Sequence, residues 1–353
     1  MTLSLHTEDH DLAFSEPFHI ARPEESFRMR TVAVELTEEG RTGLGECDPL
    51  AWYGETPETV HAVLPRLLGA LQALGPVPAV REDVLVWLER SSRLMGDAIA
   101  NHGSAKAGLD AALHDLAGRA LGLPVWELIG TSRDVPTTDY SLGIDEPEVV
   151  AEKAARAAAF PSLKIKVGGP KDIETLEAVR AVYAGPLRVD ANTAWQPEQA
   201  AALIPELARL GVELIEQPFP ARALAEHRWL RERSSLPILA DESAVFEEDL
   251  PMLEGVFDGV VVKLAKCGGI GPALRMIRRA RSQGMSVMLG CMAESSLGMA
   301  AGAMVASACD WLDLDGNLLL VHDPFQGIEL GPDFRWQLTT TPGLGIERRP
   351  VPA

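Results

Sequence analysis

The chain has 353 residues, 46% hydrophobic and 24% charged, which is the composition of a folded protein that can bury a sizeable core. Its formal net charge of −19 argues against nucleic-acid binding, because a phosphate backbone needs a basic surface. The cysteines are scattered and form no CxxC pair, which predicts neither a disulfide framework nor a zinc cluster. The N-terminus has no basic start before an apolar run, and no run of 18 apolar residues occurs. These features predict a cytoplasmic protein without a membrane partner.

The first part of the chain, residues 1–120, predicts an α+β domain. Two alternating stretches, FRMRTVAVELTEEG and RTGLGECDP, predict an antiparallel hairpin. Helical spacing of apolar residues predicts helices over residues 57–73 and 105–121. Two segments with tight turns, residues 16–26 and 48–57, are candidates for loops that cover an active site.

From about residue 135 onward, short apolar runs alternate with helical stretches every 22 to 28 residues. The runs are SLKIKV, PLRVDAN, VELIEQP, PILADES, GVVVKLA, SVMLGCM and WLDLDGN. Such alternation implies a parallel sheet, and seven or eight units usually close into a barrel. A doubly wound open sheet is disfavoured because no Gly-rich nucleotide loop follows any run. The predicted fold is therefore α/β, a modified (β/α)7β TIM-like barrel over residues 121–320 with an N-terminal α+β capping domain.

Three successive runs end in a carboxylate, at Asp190, Glu216 and Asp241. Adjacent strands lie about 5 Å apart, so three acids at one level would raise one another's pKa unless a cation lay among them. A few oxygen ligands with room for substrate suit Mg²⁺ better than a softer metal. Each acid alone could be a helix N-cap, but three in consecutive units favour a site for one Mg²⁺ per subunit.

Lys164 and Lys166 are two apart in an extended run, so they point to the same side of a strand. Each should lower the pKa of the other, and a general base must be a neutral amine. The alternative is an edge strand with solvated lysines. We expect Lys166, nearer the barrel mouth, to react, and Lys164 to orient or bind the substrate.

Lys263 ends the run GVVVK, which is the sixth strand if Lys166 is on the second, so the two lysines are four strands apart, on opposite walls of an eight-stranded barrel. A substrate carboxylate on the metal would then present one face of its α-carbon to each lysine. A proton removed from one face and returned to the other inverts the stereocentre, with the metal stabilising the enolate formed between the two steps. Lys266 is a rival base, but it lies past the apolar run and is interpreted as a loop or helix-start residue.

The ordered motifs KIK, DAN, EQP, DES and KLAKCGG resemble the muconate-lactonising branch of the enolase superfamily. The last run carries Asp313 and Asp315, two apart on one strand face, and this pair resembles the one with which dipeptide epimerases such as the L-Ala-D/L-Glu epimerases hold a substrate ammonium. A cationic amine needs such an anionic partner, although a solvated strand end is the alternative. The resemblance implies a Mg²⁺-dependent isomerase that epimerises the C-terminal residue of a dipeptide by 1,1-proton transfer.

The resemblance also implies roles for residues outside the strand ends. Met292 would lie near the substrate, with Glu294 and Asn192 as polar support. The two loops would correspond to the mobile capping loops of the family, so Arg22 and Tyr53 would help to select the dipeptide side chains. Because an arginine can bind a carboxylate, Arg22 hints at an acidic C-terminal residue.

The family further implies that residues 321–353 return to the capping domain, and because its members commonly form homo-oligomers, a homo-oligomer is possible here. Muconate cycloisomerase, o-succinylbenzoate synthase and N-acylamino acid racemase share the metal ligands and lysines, but their substrates offer no free ammonium to Asp313 and Asp315. A non-catalytic metal-binding barrel is the remaining alternative. The presence of both candidate bases and all three ligands argues against it.

Overall fold

The computed structural model describes residues 3–22 and 27–350. Its N-terminal part contains β1 (Ser4–Ala13), β2 (Arg28–Glu38), β3 (Arg41–Cys47), α1 (Pro57–Leu71), α2 (Arg81–Ala98), α3 (Gly103–Leu121) and α4 (Val125–Ile129). The three strands form an antiparallel sheet in chain order. The predicted hairpin is confirmed as β2 and β3, with Glu39 and Gly40 in left-handed backbone at its turn.

Helix α3 joins the capping domain to the rest of the molecule. It is buried along most of its length, and it packs so closely on β3 that a Cβ at Gly45 would lie 1.9 Å from Gly108 O. At its start, a Cβ at Gly103 would lie 2.0 Å from Lys266 O. Glycines therefore allow α3 to lie close to β3 within the cap and, at Gly103, close to the backbone of Lys266 in the barrel.

The barrel elements are β4 (Tyr140–Leu142), α5 (Pro147–Arg156), β5 (Leu163–Lys166), α6 (Asp172–Val182), β6 (Leu187–Asp190), α7 (Pro197–Arg209), β7 (Val212–Glu216), α8 (Leu224–Arg231), β8 (Ile238–Ala240), α9 (Leu250–Leu253), β9 (Gly259–Val262), α10 (Leu264–Cys267), α11 (Ile270–Ser282), β10 (Ser286–Gly290), α12 (Ser296–Ala303) and β11 (Trp311–Asp313). Single 3₁₀ turns lie at Ala51–Tyr53, Gln72–Leu74, Glu247–Asp249, Ala306–Ala308 and Gly316–Leu319.

Strands β4 to β11 form one parallel sheet in chain order. A bridge from Thr138 to Leu312 joins its two edges and nearly closes the barrel. The last strand is followed by the 3₁₀ turn Gly316–Leu319 instead of an α-helix. The predicted (β/α)7β barrel with an α+β cap is therefore confirmed.

The C-terminal segment contains β12 (Phe325–Gln326), β13 (Glu329–Leu330), β14 (Trp336–Gln337) and β15 (Glu347–Arg348). It touches the cap at Arg348, whose Nη2 donates to Glu35 Oε1 at 2.7 Å. The domain bounds 1–120, 121–320 and 321–353 stay a prediction. In the part of the chain that the structure describes, no helix is both long enough and apolar enough to cross a membrane.

Candidate active site

The predicted catalytic residues stand at the carboxyl ends of successive barrel strands. Lys166, Asp190 and Glu216 are the last residues of β5, β6 and β7, and they are in register across these three strands. Asp241 directly follows β8, and Lys263 directly follows β9. The five side chains thus share the end of the barrel where enzymes of this architecture build their sites.

The two outer carboxylates each bind one of the flanking lysines. Lys166 Nζ donates to Asp190 Oδ2 at 2.6 Å, and Lys263 Nζ donates to Asp241 Oδ2 at 3.0 Å. Glu216 lies between them in the strand order, and its Oε2 lies 2.7 Å from Lys164 Nζ, but within residues 3–22 and 27–350 no donor meets hydrogen-bond geometry at either of its oxygens. All three acids are buried. The middle acid is therefore the least well satisfied of the three.

Electrostatics single out the same middle acid. Burial and the neighbouring Asp190 raise the pKa of Glu216 to about 8. Burial also acts on Asp190, but Lys166 and Lys164 outweigh it and hold the pKa of that carboxyl below its ordinary value. For Asp241 the lysines again outweigh burial and lower the pKa. An additional cation would find its most favourable position beside Glu216.

The three carboxylates fit a hard divalent cation. They supply oxygen donors from adjacent strands, and the buried Glu216 carboxylate, whose ion-pair partner among the described residues is Lys164, keeps oxygen lone pairs without a donor. Across the described ranges, no three Asp, Glu, His or Cys side chains are already gathered as a metal site. The lysines instead hold the outer two acids, so a bound cation would replace these ion pairs.

Lys164 lies under this row of acids. Its Nζ is 2.7 Å from Asp313 Oδ2 and 2.7 Å from Glu216 Oε2. Burial lowers its pKa, but the surrounding carboxylates outweigh burial and hold the pKa well above its ordinary value. The expectation that the KIK lysines lower each other's pKa is therefore wrong for Lys164, which is a buried ammonium that holds the acids in place.

Lys266 belongs to the site, contrary to its interpretation from the sequence. It does lie in the short helix α10, but it is buried, and its Nζ forms an ion pair with Asp241 and donates to Asp241 O at 2.7 Å. Its spacing of three residues from Lys263 was the available signal, because residues three apart share one side of a helical turn.

Asp313 and Asp315 converge on one residue of β4. Strand β11 ends at Asp313, so the expectation that both acids lie on one strand face is wrong. Nevertheless, Ser141 Oγ donates to Asp313 Oδ1 at 3.1 Å, and Ser141 N donates to Asp315 Oδ2 at 2.5 Å. Burial and the nearby Asp313 raise the pKa of Asp315 to about 7. Ser141 was not predicted because its role depends on the closure of the barrel.

A cavity of about 120 Å³ lies among these residues. It is closed on the capping side by residues of the first loop, including Phe18 and Arg22. The predicted site residues that line it are Arg22, Lys166, Asn192, Lys263, Met292, Asp313 and Asp315. The structure thus brings both lysines and both aspartates to one cavity, whereas Tyr53 and Glu294 lie outside its lining.

Two family models match most of the chain. The model described as mandelate racemase / muconate lactonizing enzyme, N-terminal domain, matches residues 4–130, and the model described as enolase C-terminal domain-like matches residues 148–350. The chain belongs to the enolase superfamily. The resemblance drawn from the ordered strand-end motifs is confirmed.

Individual members of the superfamily match over nearly the whole length. The L-Ala-D/L-Glu epimerase of Bacteroides thetaiotaomicron is 38% identical over 318 residues, which are 89% of this chain and 80% of that enzyme. The dipeptide epimerase of Cytophaga hutchinsonii, solved with Mg and D-Ala-L-Val, is 30% identical with a TM-score of 0.88 and covers 99% of this chain and 96% of its own. An N-succinyl Arg/Lys racemase from Bacillus cereus is 30% identical with a TM-score of 0.89 over the same shares of the two chains.

In this enolase-superfamily protein, Arg22 and Tyr53 of the two predicted capping loops lie near the acids of the site. Arg22 forms an ion pair with Glu242, and its guanidinium lies 4.4 Å from the centre of the Trp52 ring. Burial, followed by the charges of Asp241 and Glu242, raises the pKa of Tyr53 well above its ordinary value. Residues 23–26, the end of the first predicted loop, lie outside the described residues. Glu242 was missed, although it belongs to the DES motif.

Polar side chains fix the backbone just beyond the strand ends. Asn192 N donates to Asp190 Oδ1 at 2.9 Å, and Gln217 Oε1 accepts from Asp241 N at 2.8 Å. Both residues have positive φ, 40° and 35°, a conformation that costs energy in a residue with a side chain. The hydrogen bonds hold this strained backbone, which keeps the acids in place. Gln217 was not predicted, although it follows Glu216 directly in the EQP motif.

Glu294 supports the loop that carries Met292. Its Oε1 accepts from Met292 N at 3.0 Å. Burial raises the pKa of Glu294 to about 7. Its place beside the cavity, outside the lining, agrees with a supporting position for this residue.

Proposed function

We propose that this protein is a Mg²⁺-dependent dipeptide epimerase, an isomerase that inverts the α-carbon of the C-terminal residue of its substrate. The observation that carries the proposal is the single cavity lined by Lys166, Lys263, Asp313 and Asp315. It combines two candidate bases with an anionic place for an ammonium group. The epimerase from Bacteroides thetaiotaomicron and the Mg and dipeptide complex from Cytophaga hutchinsonii support the same assignment.

In this proposal Asp190, Glu216 and Asp241 hold the Mg²⁺. The cation, when bound, would stabilise negative charge on the substrate carboxylate as the α-proton leaves. The chain's own contribution is to fix the three donors. Lys164 and Lys266 hold their side chains through ion pairs, and the strained loops hold their backbone.

Lys166 and Lys263 move the proton. They end the second strand and follow the sixth strand of an eight-stranded barrel, so they stand on opposite walls. In one direction a neutral Lys166 takes the α-proton from one face, and a protonated Lys263 gives a proton to the other face. In the reverse direction the two lysines exchange these roles. The stereocentre is inverted and no atom is gained or lost.

Asp313 and Asp315 bind the substrate ammonium. Lys164 already pairs with Asp313, whereas Asp315 accepts a hydrogen bond from Ser141 N. A cationic group between the two carboxylates would offset the cost of burying Asp315 as an anion. The ammonium would therefore fix which end of the dipeptide faces the lysines.

The capping loops select the substrate side chains in this proposal. Arg22 lines the cavity and Tyr53 lies near the acids, so both remain candidates for this selection. Because Glu242 already pairs with Arg22, an acidic C-terminal residue would have to compete with that ion pair. The identity of the C-terminal residue thus remains for the substrate screen.

A second candidate function is the racemisation of an N-acylated amino acid, which the match to the N-succinyl Arg/Lys racemase favours. Such a substrate has an amide in place of a free ammonium. Lys164 pairs with Asp313, but the buried Asp315 would then be left without a cationic partner, which disfavours this function. The two candidates therefore differ in whether the substrate amine must be free.

The deciding experiment is a screen in D₂O with Mg²⁺, with exchange read by mass spectrometry. One set of mixtures contains L,L-dipeptides, and the other contains N-succinyl amino acids. We expect one deuterium per molecule in dipeptides, located at the α-carbon of the C-terminal residue. Exchange in the succinylated set alone would replace the proposal with the second candidate, and no exchange in either set would contradict both.

Removing either base should abolish epimerisation. For Lys166→Ala and Lys263→Ala we expect the rate of inversion to fall by about 10³-fold or more, because inversion needs both a base and an acid. One variant should still exchange deuterium into a single substrate epimer. Lys171→Ala, at an exposed lysine of the same barrel, is the control and should keep full activity. Normal inversion by either base variant would refute the two-base mechanism.

A further inference from the structure

A second and larger cavity adjoins the ammonium end of the reaction cavity. Its volume is about 370 Å³. Phe18 of the first loop, Ser141 of β4 and Leu319 line both cavities. Ser141 is also the residue that binds Asp313 and Asp315. The second cavity therefore begins where the proposed ammonium site ends.

Most of the lining of this cavity is apolar. Its apolar lining residues include Leu142, Ala157, Phe160, Leu318 and Leu330. Two aromatic residues line one side, Tyr140 and Phe160, whose rings lie 4.9 Å apart, and Phe334, outside the lining, packs against Phe160 at 4.6 Å between ring centres. A pair of aromatic rings gains interaction energy beyond the free energy of burying their apolar surface. The lining thus favours a large apolar group, and above all an aromatic one.

The charged residues that line the cavity form ion pairs with one another and with Asp145 beside it. Glu16 forms an ion pair with Arg156, and its Oε2 lies 3.7 Å from Lys153 Nζ. Lys153 Nζ also lies 3.2 Å from Asp145 Oδ2. Asp145 lies outside the lining, so the two cations of the cavity are balanced by Glu16 within it and by Asp145 beside it, and each cation already has a carboxylate partner.

We propose that the second cavity binds the side chain of the substrate's N-terminal residue, and that this residue is large and apolar. The inference rests on the proposed epimerase function, which places the α-ammonium of that residue at Asp313 and Asp315. The ammonium and the side chain leave the same α-carbon, and the peptide bond leads from it toward the lysines. The side chain is then directed away from the lysines, past Ser141, into the second cavity.

The size of the cavity agrees with this occupant. An apolar cavity of about 150 Å³ can hold a benzene molecule, and this cavity is larger, at about 370 Å³. A methyl group would leave most of the space unfilled. Because burial of a large apolar side chain strengthens binding by one to two powers of ten, the preference should be measurable.

The first test uses the wild-type enzyme alone. Dipeptides that begin with L-Ala, L-Leu or L-Phe and share the best C-terminal residue of the screen are compared by kcat/KM. We expect the L-Leu and L-Phe substrates to exceed the L-Ala substrate by at least about tenfold. Equal values, or a preference for L-Ala, would overturn the inference and leave the epimerase function intact. Absence of exchange with every dipeptide would remove both.

The second test fills the cavity. Ala157 is buried and lines it, whereas the next residue, Ala158, is exposed and lies outside the lining. We expect Ala157→Phe to lower kcat/KM for the L-Phe substrate by at least about tenfold and for the L-Ala substrate by less than about threefold. Ala158→Phe, the matched control, should change neither.

The melting temperatures of Ala157→Phe and Ala158→Phe show whether a change in kcat/KM comes from unfolding or from a filled cavity. A folded Ala157→Phe variant that treats both substrates as the wild type does would overturn the inference. If that variant does not fold, the wild-type comparison of first residues decides alone.

Discussion

Below the strand ends, the interior of the barrel has two buried halves that are chemically opposite. The half formed by β7 to β10 carries the apolar cluster Leu214, Leu239, Val261 and Met288. The other half carries the buried charged residues Asp139, Lys164, Arg188 and Asp313. Both halves are buried, so burial by itself does not distinguish the half that stabilises the barrel by apolar packing from the half whose charges support the acids at the strand ends.

The difference between the halves lies in what burial costs. The apolar side chains stabilise the fold simply by leaving water. The charged side chains lose hydration, and ion pairs must offset the free-energy cost of that loss. Lys164 lies 2.7 Å from Asp313, and Arg188 lies 2.8 Å from Asp139. Each such pair defines the position of a side chain more narrowly than apolar packing does. The charged half is therefore suited to hold acids for a reaction.

The largest effect should come from Lys164, which links the charged half to the proposed metal ligands. Lys164→Met leaves Asp313 and Glu216 without their shared cation. We expect turnover to fall more than about 100-fold and the free energy of unfolding to fall by about 3–5 kcal/mol. Steady-state kinetics and urea unfolding in Mg²⁺ measure these effects. Lys164→Arg, which keeps the charge, is the control for stability, and full turnover by Lys164→Met would contradict a positioning role.

Arg188→Met should affect stability alone. Arg188 pairs with Asp139 and donates to Leu312 O at 3.1 Å, but it does not line the reaction cavity. Its removal leaves a buried carboxyl without its cation, so we expect a loss of about 3 kcal/mol in unfolding free energy. Turnover per folded molecule should stay within a fewfold of the wild type. A large loss of turnover at unchanged stability would extend the functional half to this pair.

The smallest of the three effects should come from the apolar half. Met288→Ala removes buried atoms and leaves a cavity, which we expect to cost about 2 to 3 kcal/mol in unfolding free energy. Turnover below the melting temperature should be unchanged, because no charged partner is lost. Urea unfolding and steady-state kinetics on the same preparation provide the check. A Met288→Ala enzyme that is stable but inactive would abolish the distinction between the two halves.

The sequence located the strand ends well because strand and helix periods are local. Asp190, Glu216 and Lys263 stand where the repeat of runs placed them. The first barrel strand, Tyr140–Leu142, was missed because three residues are too few to show a pattern. Strand β1 was missed because most of its side chains are exposed or half-buried and polar, so it lacks the alternation of a core strand.

The sequence itself determined the repeat of strands and helices and the positions of lysines and acids at the strand ends. These two features predict the architecture and the class of chemistry. Only the tertiary structure decided how the charges pair: that Lys266 binds Asp241, and that Ser141 joins Asp313 to Asp315. The same holds for the second cavity, where Phe18 meets Ser141 from another domain. Local periodicity fixes where a side chain leaves its own strand, whereas pairing and cavity shape arise from barrel closure and cap docking, which bring distant segments together.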